Sequence, residues 1–320
     1  MLDFPEPPKE YSSVFLEETD KTLPEKIDQR TRYAFFSTIA KGGKSLIKSC
    51  KDLHLSRFVC YKTLKPEFAD NEIEQKRLIR EARVSAMLQH PNTIPTYELG
   101  RDSRGNPYFT MKLVHGYTLR EVLDYRERYD LTQLMELVEQ VCSCLSYAHT
   151  HGVAHRDIKP ENILAGPYGE VLLLDWGLAK VWHPDGTGKE DGESKPAPIE
   201  DITLTSQGAV EGTVHYMSPE QILKDPAIDH RTDIFSLGAI LYEILCGETP
   251  AKGEKMHEVL ESVQSDIPPE PAEVSKLKVP KLLNQIAMKC LEKKPEDRFQ
   301  SMDELNMLLQ QDWRSDLSLY

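Results

Sequence analysis

Asp157, Lys159 and Asn162 lie within one short stretch, VAHRDIKPENIL, residues 153–164. It brings a carboxylate, an ammonium, the guanidinium of Arg156, the imidazole of His155 and an amide into a polar run closed by apolar residues at both ends. Such a run is either a solvated turn or a site whose electric field is shaped for chemistry. Other charged residues stand at wide intervals around it: Lys62 in RFVCYKTL, Glu81 in NEIEQKRLIREARVSAMLQH, Asp175 opening DWGLAK, Glu220 in the SPE that starts at Ser218, and Asp233 in RTDIFSLG. Each motif alone is weak, but five or more in a fixed order at domain-scale separations are hard to obtain by chance.

The elements that must position these residues can be read from periodicity. RFVCYKTL, 57–64, reads as a strand, and 71–90 as an amphipathic helix with Ile73, Leu78, Ile79, Ala82 and Ala86 near one stripe. GNPYFTMKLVHGYTL adds a strand that ends at a His115-Gly116 hinge. Beyond it helices dominate. LTQLMELVEQVCSCLSYAHTHG has an apolar stripe and a glycine stop, and RTDIFSLGAILYEILCG sets Ile234, Leu237, Ile240, Leu241, Ile244 and Leu245 at helical spacing. HPDGTGKEDGESKPAPIED, 183–201, holds six acids, two lysines and six Gly or Pro residues, and reads as a mobile surface loop that cannot form a core.

Composition bounds the function. A chain of 320 residues can bury a large core and suits one large domain or two lobes. With 39 basic and 52 acidic residues the net charge is −13, which argues against a general nucleic-acid or anionic-membrane binder. No apolar run reaches the ~18 residues that a membrane span needs. The start, MLDFPEPPKEYSS, is acidic and Pro-rich where a secretory signal is basic and then apolar, so the chain reads as soluble and cytoplasmic. Cys50, Cys60, Cys142, Cys144, Cys246 and Cys290 include no C-x-x-C pair, and all but Cys50 sit in apolar patterns, as reduced core thiols would.

From about Tyr33 to Leu309 the ordered motifs resemble the eukaryotic-like protein serine/threonine kinases, most closely their bacterial branch. The resemblance implies an α+β bilobal protein-kinase fold. Its small β-rich N-lobe with one main helix would span 33–114 and its larger, mostly helical C-lobe 115–311, with tails at 1–32 and 312–320. It also implies transfer of the γ-phosphoryl group of ATP to Ser or Thr hydroxyls of protein substrates, with Mg²⁺ as the metal and Mn²⁺ as a substitute. Asp157 would orient and deprotonate the acceptor, Lys159 would offset charge on the moving phosphate, and Asn162 with Asp175 would hold the metal. Lys62 would grip the α- and β-phosphates, with Glu81 fixing its rotamer. This chemistry needs cations and one carboxylate around the same atoms, because the transition state spreads negative charge while the acceptor loses a proton.

By the same resemblance adenine would meet Ile39, Cys60 and Leu164, with Met111 at the deep end and the backbone of Lys112 and Val114 at the base edge. Glu220 and Arg298 would form a buried ion pair, Asp233 would anchor the 155–162 loop, Thr213 would hydrogen-bond Asp157, and His155 would pack in the core. DIKPEN resembles the Ser/Thr-specific form of the loop. His149 reads as a satisfied helix-end histidine.

Two motifs depart from the family pattern. Where the phosphate-covering loop has G-x-G-x-x-G-x-V, this chain aligns Ala40, Gly42, Ser45 and Ile47, with Gly43 beside the surviving glycine; weaker ATP binding is the expectation. The usual DFG triplet is Asp175-Trp176-Gly177, and the larger indole would fill volume released by Ser85 and Thr96. Arg156 beside Asp157 would take a phosphate placed on Thr205, with Thr203 or Ser206 secondary, and autophosphorylation in trans would use a transient homodimer. Two alternatives are a catalytically impaired pseudokinase acting as a nucleotide-binding scaffold and a small-molecule kinase. The first is opposed by the retained Lys62, Glu81, Asp157, Asn162 and Asp175, and the second by GTVHYMSPEQ, which resembles a protein-substrate shelf.

Overall fold

A computed structural model of the chain describes residues 31–182 and 212–317, together with Thr22. Its contacts divide it into two units. The first runs through Gln89 and resumes over Thr93–Gly116 and Gly166–Tyr168; the second takes His90–Asn92, Tyr117–Ala165 and the chain from Gly169 on.

The first unit is a sheet with one long helix. β1 (Tyr33–Lys41), β2 (Ser45–Asp52), β3 (Arg57–Leu64), β4 (Thr96–Arg101) and β5 (Pro107–Lys112) pair antiparallel in the order β1-β2-β3-β5-β4, and α1 (Glu72–Met87) follows β3 in the chain. Because side chains alternate along a strand, Val59 and Tyr61 of β3 share one face and Cys60 and Lys62 the other. On the Tyr61 face, Cys50, Val59, Tyr61 and Tyr108 form a buried cluster with Tyr33 against it, and the Tyr61 and Tyr108 rings stack at 4.4 Å. Cys50, which no apolar pattern claimed, is fully buried there.

Two expectations need correction in this unit. β5 ends at Lys112, short of His115-Gly116. Just ahead of β1, Arg32 grips Asp52 with Nη2 at 2.8 Å and Glu98 with Nη1 at 3.0 Å. The buried face of α1 holds Glu74, Leu78, Glu81, Ala82, Val84 and Ser85, whereas Ile73 is 62% exposed and Ala86 is also exposed. Two carboxylates occupy places where an apolar stripe was sought. α1 starts at Asn71, whose side chain accepts hydrogen bonds from the Ile73 and Glu74 amides.

The second unit is mostly helical. β6 (Tyr117–Thr118) leads into α2 (Leu119–Asp124), started by a capping box of Thr118 and Glu121, and α3 (Leu131–Thr150) starts from a second one, Asp130 with Gln133. β7 (Val153–Ala154) pairs with β10 (Lys180–Val181), and β8 (Ile163–Ala165) lies between β6 and β9 (Val171–Leu173). α4 (Pro219–Ile222) precedes α5 (Arg231–Cys246), which is buried from Thr232 to Leu245 and is the core around which the unit packs. α6 (Met256–Ser265), α7 (Pro271–Val274), α8 (Lys281–Cys290) and α9 (Met302–Leu309) complete it. Gly238 lets α5 meet α8 closely, because a Cβ there would stand 2.3 Å from Cys290 Cβ.

Past residue 311, Trp313 is fully buried and its Nε1 donates to the Leu309 carbonyl at 3.2 Å. Among the described residues no helix is long and apolar enough to cross a membrane.

One buried ion pair joins the start of α4 to the late helices. Arg298 binds Glu220 through both guanidinium ends, at 2.7 and 2.8 Å, and also donates to the carbonyls of Glu292, Arg231 and Lys293. Arg298→Met is expected to leave an unpaired buried carboxylate and to lower unfolding stability by about 3–5 kcal/mol, read from urea denaturation. A loss within about 0.5 kcal/mol would show that the pair is dispensable.

Candidate active site

In the first unit Lys62 stands in the interior of β3, the third of five strands in the sheet order, and Glu81 on the buried face of α1. Lys62 Nζ is 2.6 Å from Glu81 Oε1, and both residues are buried. A pair with so little water around it, on two rigid elements, fixes the lysine rotamer more firmly than an exposed pair could. Met111 on β5 and Cys60 on β3 are cross-strand partners and buried, whereas Ile39 on β1 is half exposed. Ile47 on β2 is the cross-strand partner of Lys62. The Lys112 amide donates to the Pro95 carbonyl at 2.9 Å, so a ligand would find that amide already taken.

In the second unit the 155–162 loop hangs on Asp233. The fully buried Asp233 carboxylate accepts from the His155 amide at 2.8 Å and the Arg156 amide at 2.7 Å, and His149 Nε2 donates to it at 2.8 Å. These bonds hold Arg156 at φ +68°, a left-handed conformation rare for a side-chain-bearing residue. The His155 ring is held from both sides: Nε2 donates to the Leu174 carbonyl at 2.9 Å, and Nδ1 accepts from the Asp157 amide at 3.2 Å, the tautomer following from these partners. Asn162 Nδ2 then donates to the Asp157 carbonyl at 2.8 Å and to its Oδ2 at 2.9 Å, and Lys159 Nζ lies 3.0 Å from the same oxygen.

The electrostatics of this loop are mixed. Burial pushes the Asp157 carboxyl up, Lys159 opposes this, and the Asp175 charge adds to it. Burial alone would lower Lys159, but the Asp157 carboxylate beside it holds the ammonium above its ordinary value. Asp175 is also left-handed, at φ +64°, and its Oδ1 accepts from the Gly177 amide at 3.3 Å. Trp176 is fully buried with its ring 4.5 Å from that of His155, and its Nε1 has no hydrogen-bond partner among the described residues. Leu164 lies on β8 and is partly buried. Ser85 and Thr96 belong to the first unit, Trp176 to the second.

Sequence reasoning missed two of these contacts. His149 is a ligand of the Asp233 carboxylate, and the only signal for it is its place at the end of an apolar helix six residues before His155. Gln221 Nε2 donates to the Arg156 carbonyl at 2.7 Å and links the loop to α4; nothing in its local sequence marks it. Thr203, Thr205, Ser206, the 183–201 loop and the Thr213 side chain lie outside the described residues.

The second unit holds Asp157 beside a lysine and an amide, and the first unit holds a buried lysine–glutamate pair. Residues 33–313 match the protein kinase domain family. The chain is 32% identical over 296 residues to the serine/threonine-protein kinase PknD of Chlamydia trachomatis serovar L2b (strain UCH-1/proctitis), covering 87% of this chain and 31% of that protein. It is 33% identical over 287 residues to the PknD of Protochlamydia amoebophila (strain UWE25), covering 85% and 29%. The chain belongs to the protein kinase family. It spans about a third of the length of the curated relatives it matches. Membership implies use of ATP and a divalent metal in general.

Burial alone would raise the Asp233 carboxyl, but the His149 hydrogen bond and the nearby imidazole and amide groups hold it below the ordinary carboxylate range. A carboxyl depressed in the fold adds stability above its unfolded pKa, and that stability is lost as pH falls through the folded value. Asp233→Asn is therefore expected to lose about 2–3 kcal/mol at neutral pH, with the gap to the wild type closing in acid. Melting curves across a pH series check this; a gap independent of pH would rule out a charge-based anchor.

Proposed function

We propose that the chain transfers the γ-phosphoryl group of Mg-ATP to Ser and Thr hydroxyls of protein substrates. The observation that supports this most is the arrangement around Asp157, whose carboxylate is oriented by Asn162 and accompanied by Lys159 in a loop fixed from behind by Asp233. Asp157 takes the proton of the attacking hydroxyl, and its upward-pushed carboxyl suits a base more than an ordinary aspartate would. Lys159, kept charged, faces the transferred group. On the other unit, Lys62 holds the α- and β-phosphates in the rotamer that Glu81 fixes.

The residues present fit a hard divalent ion. With Asn162 Nδ2 engaged on Asp157, its Oδ1 is left as the donor, and Asp175 adds carboxylate oxygens close enough to raise Asp157. Mg²⁺, or Mn²⁺ as a substitute, would be held by Asn162 and Asp175 and would neutralise phosphate charge when bound. Adenine would be received by Ile39, Cys60, Met111, Val114 and the Lys112 carbonyl, with Leu164 from the second unit, and Gly42, Gly43 and Ile47 would cover the phosphates. Such an enzyme works in the cytoplasm, where ATP is supplied.

Transfer of label from γ-labelled ATP to a generic protein acceptor tests the reading. Asp157→Asn is expected to keep nucleotide-dependent thermal stabilisation and to lose turnover by about 10²-fold or more, and Lys62→Met to lose both. Turnover within about tenfold of the wild type in Asp157→Asn would refute the assignment.

We also propose that activity rises on autophosphorylation in trans, through a transient homodimer, at Thr205 first and at Thr203 or Ser206 second. These hydroxyls stand in ITLTSQGAVEGT, just before the SPE segment, where a phosphate would find arginine partners such as Arg156. Mass spectrometry after incubation with Mg-ATP checks it. A fully active enzyme with no phosphate between Ile202 and Ser206 would overturn it.

A further inference from the structure

The two buried carboxylates of α1 stand seven residues apart, about two helical turns, and so point from the same side of the helix. Glu81 takes Lys62 from the sheet; Glu74 takes Lys44 from the β1–β2 turn, with Lys44 Nζ 2.9 Å from Glu74 Oε1. The two glutamates are equally withdrawn from water, each 6% exposed. Glu74 is fixed on its own element, since its amide donates to the Asn71 cap at 3.2 Å and Arg77 Nη1 lies 2.9 Å from the oxygen that meets Lys44.

The turn at the other end of this pair is tightly built. A Cβ on Gly42 would stand 2.9 Å from Ser45 Oγ, so the serine hydroxyl packs against the bare glycine and would have to turn away for a larger residue at 42. Lys65 closes the turn from the far end of β3. Its Nζ donates to the Gly43 carbonyl at 2.6 Å and its amide to the Lys44 carbonyl at 2.9 Å. With alanine at 40 and serine at 45 in place of glycines, the strand–turn–strand has less backbone freedom than a glycine-rich loop, and side-chain ties have a larger share in setting where it rests.

We propose that Lys44 and Glu74 are positioning residues that hold the phosphate-covering turn to α1, as a second rung beside Lys62–Glu81. One helix thereby sets both the lysine that grips the phosphates and the turn that covers them. The inference rests on the reading of 40–47 as that cover. An ion pair that orders a binding loop without contacting the reacting atoms acts on ground state and transition state alike, and so on KM more than on kcat.

Steady-state kinetics of the full chain test it. Lys44→Met and Glu74→Gln are each expected to raise KM for ATP about three- to fivefold with kcat within about twofold. The double variant should be no worse than the poorer single, because Glu74→Gln already removes the Lys44 pair along with the Arg77 one. Lys44→Arg, which can keep the pair, should retain the wild-type KM. An unchanged KM in both singles, losses that multiply in the double, or a fall in kcat alone would overturn the proposal. A wild-type chain with neither ATP turnover nor a nucleotide-dependent thermal shift would instead mean that the function reading itself has failed, and the positioning role with it.

Discussion

The second unit depends on one buried carboxylate. Asp233 carries a negative charge inside the most buried helix of the chain, a placement tolerable only because the amides of His155 and Arg156 and the ring of His149 converge on it. Those bonds fix the backbone path that orders everything after it. Arg156 is held left-handed, the His155 ring is set between the Asp157 amide and the Leu174 carbonyl, and Asn162 closes back on Asp157. From the other side Gln221 ties the same loop to α4, which Arg298 locks through Glu220. The polar loop, none of whose residues from 155 to 162 is exposed, is therefore hung from the core, and its precision comes from α5.

Much of this was legible as pattern. β3 is the run RFVCYKTL, α3 ends where glycine stops its apolar stripe, and all six residues singled out on α5 are buried. The failures share a cause. On α1 the face toward the interior carries Glu74 and Glu81, so a search for apolar periodicity settled on Ile73 and Ala86, which water covers. Periodicity reports burial only when burial is apolar. Arg32 and Trp313, near the two ends of the domain, are single anchoring residues in polar stretches of sequence, and one residue makes no period.

The candidate site shows the same division. Residue types and order singled out Lys62, Glu81, Asp157, Asn162 and Asp175, and the structure pairs Lys62 with Glu81 and Asn162 with Asp157. Partners drawn from distant segments by packing were not visible. Lys44 meets Glu74 across 30 residues and Gln221 meets Arg156 across 65, and neither pair has a local signature. The Trp176 substitution is plain in the sequence, whereas the lack of a hydrogen-bond partner for its indole nitrogen among the described residues depends on the fold.

The distribution of tryptophans gives the second unit an optical signature of its own. The chain has three tryptophans, Trp176, Trp182 and Trp313, and all fall in the second unit. The first unit has none; its chromophores include the Tyr33, Tyr61 and Tyr108 cluster, rigid enough for a near-ultraviolet dichroism signal. Fluorescence excited at the red edge of the tryptophan band thus follows the helical unit alone. Comparing it with far-ultraviolet dichroism, which follows the whole chain, asks without any label whether helix and sheet melt as one cooperative body or as two.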